Sequence, residues 1–244
     1  MPYLIQGVND WQASFEKVFH ASSLQVPWYA ILGNHDYRGN CDAQVEYTKL
    51  SSRWKMPARY YKQSHVVASG ITADLFYLDT NPMIKSYRGA TTFGQHVGTQ
   101  DEKAQLAWFK KELAASKAEW KLVFGHHPIY SGGDHGDSKD LIEMILPLLH
   151  EHKVQAYFNG HDHDLQHLEF AGHPTSFVLS GGGGAPLYEL QQAAKPRGPF
   201  AQMVSGFTHL QLESNLMTIR HVGADGTVVH AFTKTPNGLV TILP

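Results

Sequence analysis

Three times this chain runs an apolar stretch into a glycine and then into histidine. Val26 to Leu32 leads to Gly33-Asn34-His35-Asp36-Tyr37, Lys121 to Phe124 leads to Gly125-His126-His127-Pro128, and Val154 to Phe158 leads to Gly160-His161-Asp162-His163. Each apolar stretch reads as a buried strand. Parallel strands of an open α/β sheet present their ligands at the carboxyl ends. Imidazole nitrogens and an amide oxygen gathered from three such ends suit zinc, iron or manganese, and a metal so placed does hydrolysis. The expected fold class is therefore α/β, with strands and helices alternating up to about residue 160.

The flanking pattern agrees. Trp11, Phe15, Val18 and Phe19 predict an amphipathic helix over 9–20, and a second is expected over 43–54. Strands are expected at 26–32, 59–67 and 71–79, the last two joined at Ser69-Gly70, followed by a polar loop over 81–100. Thr99-Gln100-Asp101-Glu102 reads as a capping box before a helix carrying Leu106, Phe109 and Leu113. Strand 120–124, helix 138–151 and strand 154–159 come next. The tail holds only strands, at 165–170, 176–180, 207–213, 216–222 and 227–233, and predicts a second sheet packed on the first.

Composition excludes several classes. A net charge of −2 over 244 residues gives no field for nucleic acid or an acidic membrane, and no apolar run approaches the roughly 18 residues of a membrane span. Cys41 is the single cysteine, so no intrachain disulfide forms. Met1-Pro2-Tyr3-Leu4-Ile5 has no basic start or long apolar core of a signal peptide.

Within the three segments, neighbouring side chains on extended backbone point to opposite sides. One of His126 and His127 is therefore expected to face a metal, with His126 favoured and His127 packed or hydrogen-bonded. His161 and His163, two apart, are expected on one side of an extended segment. His135, in Ser131-Gly132-Gly133-Asp134-His135-Gly136, is a candidate proton donor or phosphate contact. Gly181 to Gly184 is a candidate for close approach to substrate. His20, His150, His152 and His221 read as surface or structural.

Gly-Asn-His-Asp, Gly-His-His-Pro and Gly-His-Asp-His, in this order, resemble the last three signature motifs of calcineurin-like metallophosphoesterases. Val26-Pro27-Trp28-Tyr29, Phe76-Tyr77-Leu78-Asp79-Thr80 and Asn159 through Gln166 resemble the tartrate-resistant branch of the purple acid phosphatases, and the likeness covers nearly the whole chain. It implies a single metallophosphoesterase domain over 1–244, built as a four-layer αββα sandwich of two mixed sheets. It implies a two-metal centre (iron with iron, zinc or manganese) in which Asn34, His126 and His161 hold one divalent ion and His163 the other. Asn34, His35 and His135 then contact the phosphate, with His35 and His135 the catalytic pair. The implied activity is hydrolysis of phosphate monoesters by a metal-bound hydroxide, and the implied compartment is the periplasm or the exterior.

The family's two earlier motifs, which supply an aspartate, a bridging aspartate and a tyrosine, are not matched. Tyr3 stands near the tyrosine position without Gly-Asp-Asn before it and is not assigned as a ligand. The expectation is a domain missing its opening strand-loop unit. With neutral donors alone it binds at most one divalent ion and hydrolyses phosphoesters poorly. The competing expectation is an inactive or weakly active chain that keeps the fold. A mononuclear oxygenase is disfavoured because its sites sit in β-barrels.

Overall fold

The computed structural model describes residues 11–191 and 197–244. Asn9 and Asp10, the start of the first expected helix, and Tyr3 lie outside them. From Trp11 the chain makes a single π-helical turn, Gln12–Glu16, rather than a helix to residue 20. Trp11 and Phe15 bury themselves against Tyr47, Trp28 and Trp54. Arg53 clamps this corner through Glu16 and donates to the carbonyls of Phe19 and Leu24.

The strand expected over 26–32 is only two residues long. β1 (Trp28–Tyr29) pairs in parallel with β2 (Trp54–Lys55). Past β1 the backbone carbonyls are held by side chains instead: Tyr61 Oη donates to Ala30 O at 2.8 Å and Asn81 Nδ2 to Leu32 O at 3.1 Å. The helix expected over 43–54 ends at Tyr47. Its remaining length runs into β2, because Trp54 is held by its indole on Gln44 O at 2.8 Å and by the aromatic corner. Tertiary contacts override local propensity here.

The main sheet has seven strands in the order β3 (Tyr61–Ala68), β4 (Ile71–Tyr77), β5 (Trp120–Phe124), β6 (Ala156–Asn159), β8 (Ser176–Ser180), β7 (Leu165–Leu168), β9 (Phe200–Gln202). β4, β5, β6 and β8 are parallel, and the hairpin partners at both edges are antiparallel. Period-two alternation splits the core. Phe76, Val123, Tyr157 and Phe177 face the helices through Phe109, Leu141, Ile145 and Leu149. Leu122, Ala156, Phe158 and Val178 face Met217, Ile219 and Phe232 of the second sheet. That sheet, β10 (Gly206–Leu212), β11 (Met217–Gly223), β12 (Val228–Lys234) and β13 (Val240–Ile242), is antiparallel throughout. The second sheet is thus smaller than the strand-rich tail predicted, since β7 and β8 join the first. β8 carries Phe177 and Val178 on opposite faces, and a strand apolar on both faces belongs between two layers.

Between the sheets lies a polar seam. His167, fully buried, meets His230 at 3.0 Å and Glu169 at 2.7 Å, and stacks on Phe232 at 3.5 Å. Lys234 Nζ donates to Ser176 Oγ at 2.7 Å, and burial brings its pKa down to about 8. Each of these buried groups has a partner, as its desolvation demands.

Three local expectations change. The helix Glu102–Ala115 is capped by Asp101, whose Oδ1 accepts from Ala104 N at 3.0 Å, while Thr99 bonds back to His96 O. The helix expected over 138–151 divides into Lys139–Met144 and Leu146–Glu151, because Pro147 has no N–H to continue it. The stretch 81–100 is folded rather than open loop. Asn81, Pro82 and Met83 form a buried 3₁₀ turn, Lys85–Tyr87 a second, and Gly94–Val97 a helical turn. No helix among the described residues is long and apolar enough to cross a membrane.

Candidate metal centre

The carboxyl ends of β4, β5 and β6 lie side by side, and the loops leaving them carry Thr80, His126-His127 and His161. Asn34 arrives from the turn after Leu32. His126 Nε2 is 3.0 Å from Asn34 Oδ1 and 3.1 Å from His161 Nδ1. Burial and neighbouring imidazoles hold the His126 pKa well below its ordinary value and bring His161 down to about 4. Both rings are neutral at pH 7, and a neutral imidazole has one ring nitrogen with a lone pair to offer a cation. Ligand atoms about 2.1 Å from one ion lie roughly 3 Å apart at right angles, which is the spacing seen. His126 therefore stands at the separation from Asn34 and from His161 that two ligands of one ion have.

Glycines set this spacing by close approach. A Cβ on Gly33 would stand 3.0 Å from His126 Cε1, and one on Gly125 would stand 2.4 Å from Tyr157 Oη. His161 itself has φ of 72°, a left-handed conformation that a histidine adopts at a cost of about 1–3 kcal/mol when its surroundings fix it. The segment is thus a tight turn, with Asp162 N on Gly160 O at 3.0 Å, and not extended as expected. His163 is engaged outside the turn. His163 Nδ1 donates to Pro186 O at 2.6 Å and its ring stacks on Tyr188 at 3.9 Å. That bond leaves the lone pair of a neutral ring on Nε2. His163 lies near enough to His126 and His161 to help depress their pKa values.

His127 lies with His126 and His161 in one group whose ligand atoms are within 4.8 Å of one another. Its two nitrogens are both engaged, Nδ1 with Thr80 Oγ1 at 2.8 Å and Nε2 with Tyr87 Oη at 3.2 Å. It is the hydrogen-bonded histidine of the pair. His35 stands exposed just past Asn34, its pKa lowered by burial and by Arg38 and His163. His135 lies over His161 with ring centroids 3.9 Å apart. Its Nδ1 and backbone N are 2.6 and 3.0 Å from Asp162 Oδ1, and that bond raises its pKa.

Asp162 is a contact of the candidate site that sequence reasoning passed over. It is fully buried, accepts from Ser131 Oγ and fixes His135. Its place between two histidines hid a role directed elsewhere. Gly181, a candidate for substrate approach in the sequence, packs against the Asp162 backbone and supports the histidine turn. The carboxylates of the motifs are all turned away from the donors. Asp36 accepts from Gly33 N and Gln44, Asp79 from Tyr37 and Asn81, and Asp164 from Gln166. A cleft of about 310 Å³ opens beside the centre between Tyr87, His127, His135 and His161, with Ser138 and Lys139 on its wall.

Histidine and amide donors at the carboxyl ends of parallel strands, under a second sheet, define a metal-dependent hydrolase class. The chain belongs to the calcineurin-like phosphoesterase family, whose model matches residues 4–165. It is 34% identical over 256 residues to tartrate-resistant acid phosphatase type 5 of Sus scrofa, covering 96% of this chain and 73% of that protein. The fold is similar to GAP50, the anchor in the inner membrane complex of Plasmodium (TM-score 0.73, 22% identity, 94% of this chain and 72% of that one). It is also similar to purple acid phosphatase PPD1 from yellow lupin seeds (TM-score 0.59, 19% identity, 86% and 39%). Calcineurin-like phosphoesterases and purple acid phosphatases use binuclear metal centres and hydrolyse phosphate esters.

Proposed function

We propose that this chain hydrolyses phosphate monoesters at a divalent-metal centre held by Asn34, His126 and His161. The observation that carries the reading is the convergence of Asn34 Oδ1 and His161 Nδ1 on His126 Nε2, within 3.0 and 3.1 Å, from three separate parts of the chain. An ion held there supplies Lewis acidity to a phosphoryl oxygen and acidifies a water. The protein's own residues do the rest. Burial keeps His126 and His161 neutral and able to bind. Asp162 raises the His135 pKa and aims the ring over His161, from where its protonated form donates a proton to the departing oxygen. His35, at the mouth, orients the phosphate, and the cleft beside His135 takes the alcohol portion.

The count we infer is one ion. Among the described residues no carboxylate joins the donors, and neutral ligands do not offset the four charges of two divalent ions held close together. The same observation favours a second reading, a chain that binds metal and turns over weakly or not at all. Metal analysis beside a p-nitrophenyl phosphate assay separates them. Metal-dependent release of phosphate that His126→Ala abolishes supports the first, and stoichiometric binding without turnover supports the second. Two tightly held ions per chain contradict the count.

A further inference from the structure

The charged side chains that line the cleft beside the metal centre are matched by partners, with one exception among the described residues. Ile84 and Tyr87 line the cleft from one segment and Asp137 to Asp140 from another, and His161 marks its end at the centre. Asp137 holds Nη1 and Nη2 of Arg197, the latter at 2.8 Å. Asp140 accepts the Lys85 backbone N–H at 2.8 Å and lies 3.3 Å from Lys85 Nζ. Glu143, which does not line the cleft, meets the same Nζ at 2.8 Å. The His135 ring faces the buried Asp162 carboxylate at 2.6 Å. Lys139 is the exception. It is exposed on the cleft wall, and its ammonium has no ion pair or hydrogen bond among the described residues.

We propose that Lys139 makes the cleft selective for phosphate monoesters whose alcohol portion carries a second acidic group, a carboxylate or another phosphate. The proposal deepens the phosphomonoesterase reading, on which it rests: the ester phosphate occupies the metal centre and the second acid meets Lys139. Low-dielectric walls focus the field of an unmatched charge, so an anion entering this cleft is favoured and a cation is opposed. Ile84, Tyr87 and Pro128 give the same cleft apolar surface for the carbon frame that joins the two acids. At about 310 Å³ the cleft lies at the small end of ligand sites, which run from roughly 300 to 1,000 Å³, so that frame is on the scale of a single ring. Lysine offers a point charge on a flexible stem rather than a fixed fork, which suits a class of acids better than one exact geometry.

Binding of non-hydrolysable phosphonates tests this without turnover. Benzylphosphonate, 4-carboxybenzylphosphonate and p-xylylenediphosphonate are titrated calorimetrically into the full chain with Mn²⁺ present, for wild type, Lys139→Gln and Lys139→Glu. Thermal melting is the folding control, and Lys110→Gln, an exposed lysine of the helix Glu102–Ala115, controls for net charge. Wild type is expected to bind the acid-bearing ligands about fivefold more tightly than benzylphosphonate at low salt, with the preference shrinking as salt is added. Which of the two acids gains more tells a carboxylate from a second phosphate. Lys139→Gln is expected to abolish the preference and leave benzylphosphonate affinity unchanged, Lys139→Glu to reverse it, and Lys110→Gln to keep it. An equal preference in wild type and Lys139→Gln overturns the proposal, and so does the absence of any preference in wild type. If benzylphosphonate binds wild type, loses its affinity in His126→Ala and shows no preference, only the role of Lys139 fails. If no phosphonate binds wild type, the phosphomonoesterase reading fails and Lys139 selectivity with it.

Discussion

Gly181→Ala puts the histidine turn under direct test. A Cβ at this position would stand 1.7 Å from the backbone carbonyl oxygen of Asp162 and 3.5 Å from His163 Cα, whereas real Cβ contacts stop near 3.0 Å. The turn must therefore give by about 1.3 Å, and the opposing atom is backbone, so no side-chain rotation relieves it. Overpacking of this kind costs about 1–3 kcal/mol of stability, and for a chain of this length each kcal/mol lowers the melting temperature by roughly 2–4 °C. The larger effect falls on the site. A displacement near 1 Å in a positioned constellation costs on the order of 100-fold, here in Mn²⁺ affinity through His161. The same run supplies its own control, because a Cβ on Gly183 meets nothing within 4 Å. Gly183→Ala is expected to stay within about 0.5 kcal/mol of wild type. Calorimetric titration with Mn²⁺ and thermal melting read both effects. If Gly181→Ala binds and melts like Gly183→Ala, the histidine turn is not held by this contact and the reasoning is wrong.

Other consequences can be measured alongside. His35→Ala is expected to keep Mn²⁺ affinity and to slow p-nitrophenyl phosphate turnover by about 100-fold or more, and full retained rate would remove its catalytic role. Asp162→Asn takes away the partner that raises the His135 pKa. The proton-donating form is then lost at lower pH, and the basic limb of kcat/KM moves acidward, a direction a pH–rate profile reads. His221 is fully buried, with its pKa brought down to about 3 by burial and by His230 and His167. The unfolded ring titrates near 6.5, so below that pH the unfolded state binds the extra proton and stability falls as pH drops toward 3. His221→Phe should flatten that decline by up to about 1.4 kcal/mol per pH unit, seen in urea titrations between about pH 6.5 and 4, and an unchanged slope would contradict the assignment. Arg53→Met breaks the ion pair with Glu16 and is expected to cost about 2 kcal/mol in the same titrations, less than breaking a fully buried pair because Glu16 is partly solvated.

β5 and β6 were legible because each is a short apolar run that ends at a glycine with histidine after it. His126 and His161 were candidates for that reason, with His127 expected to be packed or hydrogen-bonded, whereas Asn34 follows a run that forms only a two-residue strand. The histidine turn was not legible, because a non-glycine residue at φ of 72° leaves no mark in sequence, so the i, i+2 spacing of His161 and His163 pointed to an extended segment where the backbone turns. Asp162, Thr80 and Tyr87 were missed for a related reason. Their roles are contacts with residues 27 to 47 positions away, or through one that is, and no local pattern encodes such a distance. The short β1 shows the opposite failure: an apolar run predicted a strand, but its backbone is satisfied by Tyr61 and Asn81 side chains.

The function proposed for this chain requires Asn34, His126 and His161 to share one ion. Calorimetric titration of Mn²⁺ into wild type, His126→Ala and His161→Ala tests this most directly. One site per chain in wild type, and no measurable site in either variant, is the predicted result. Unchanged stoichiometry and affinity in both variants would contradict it.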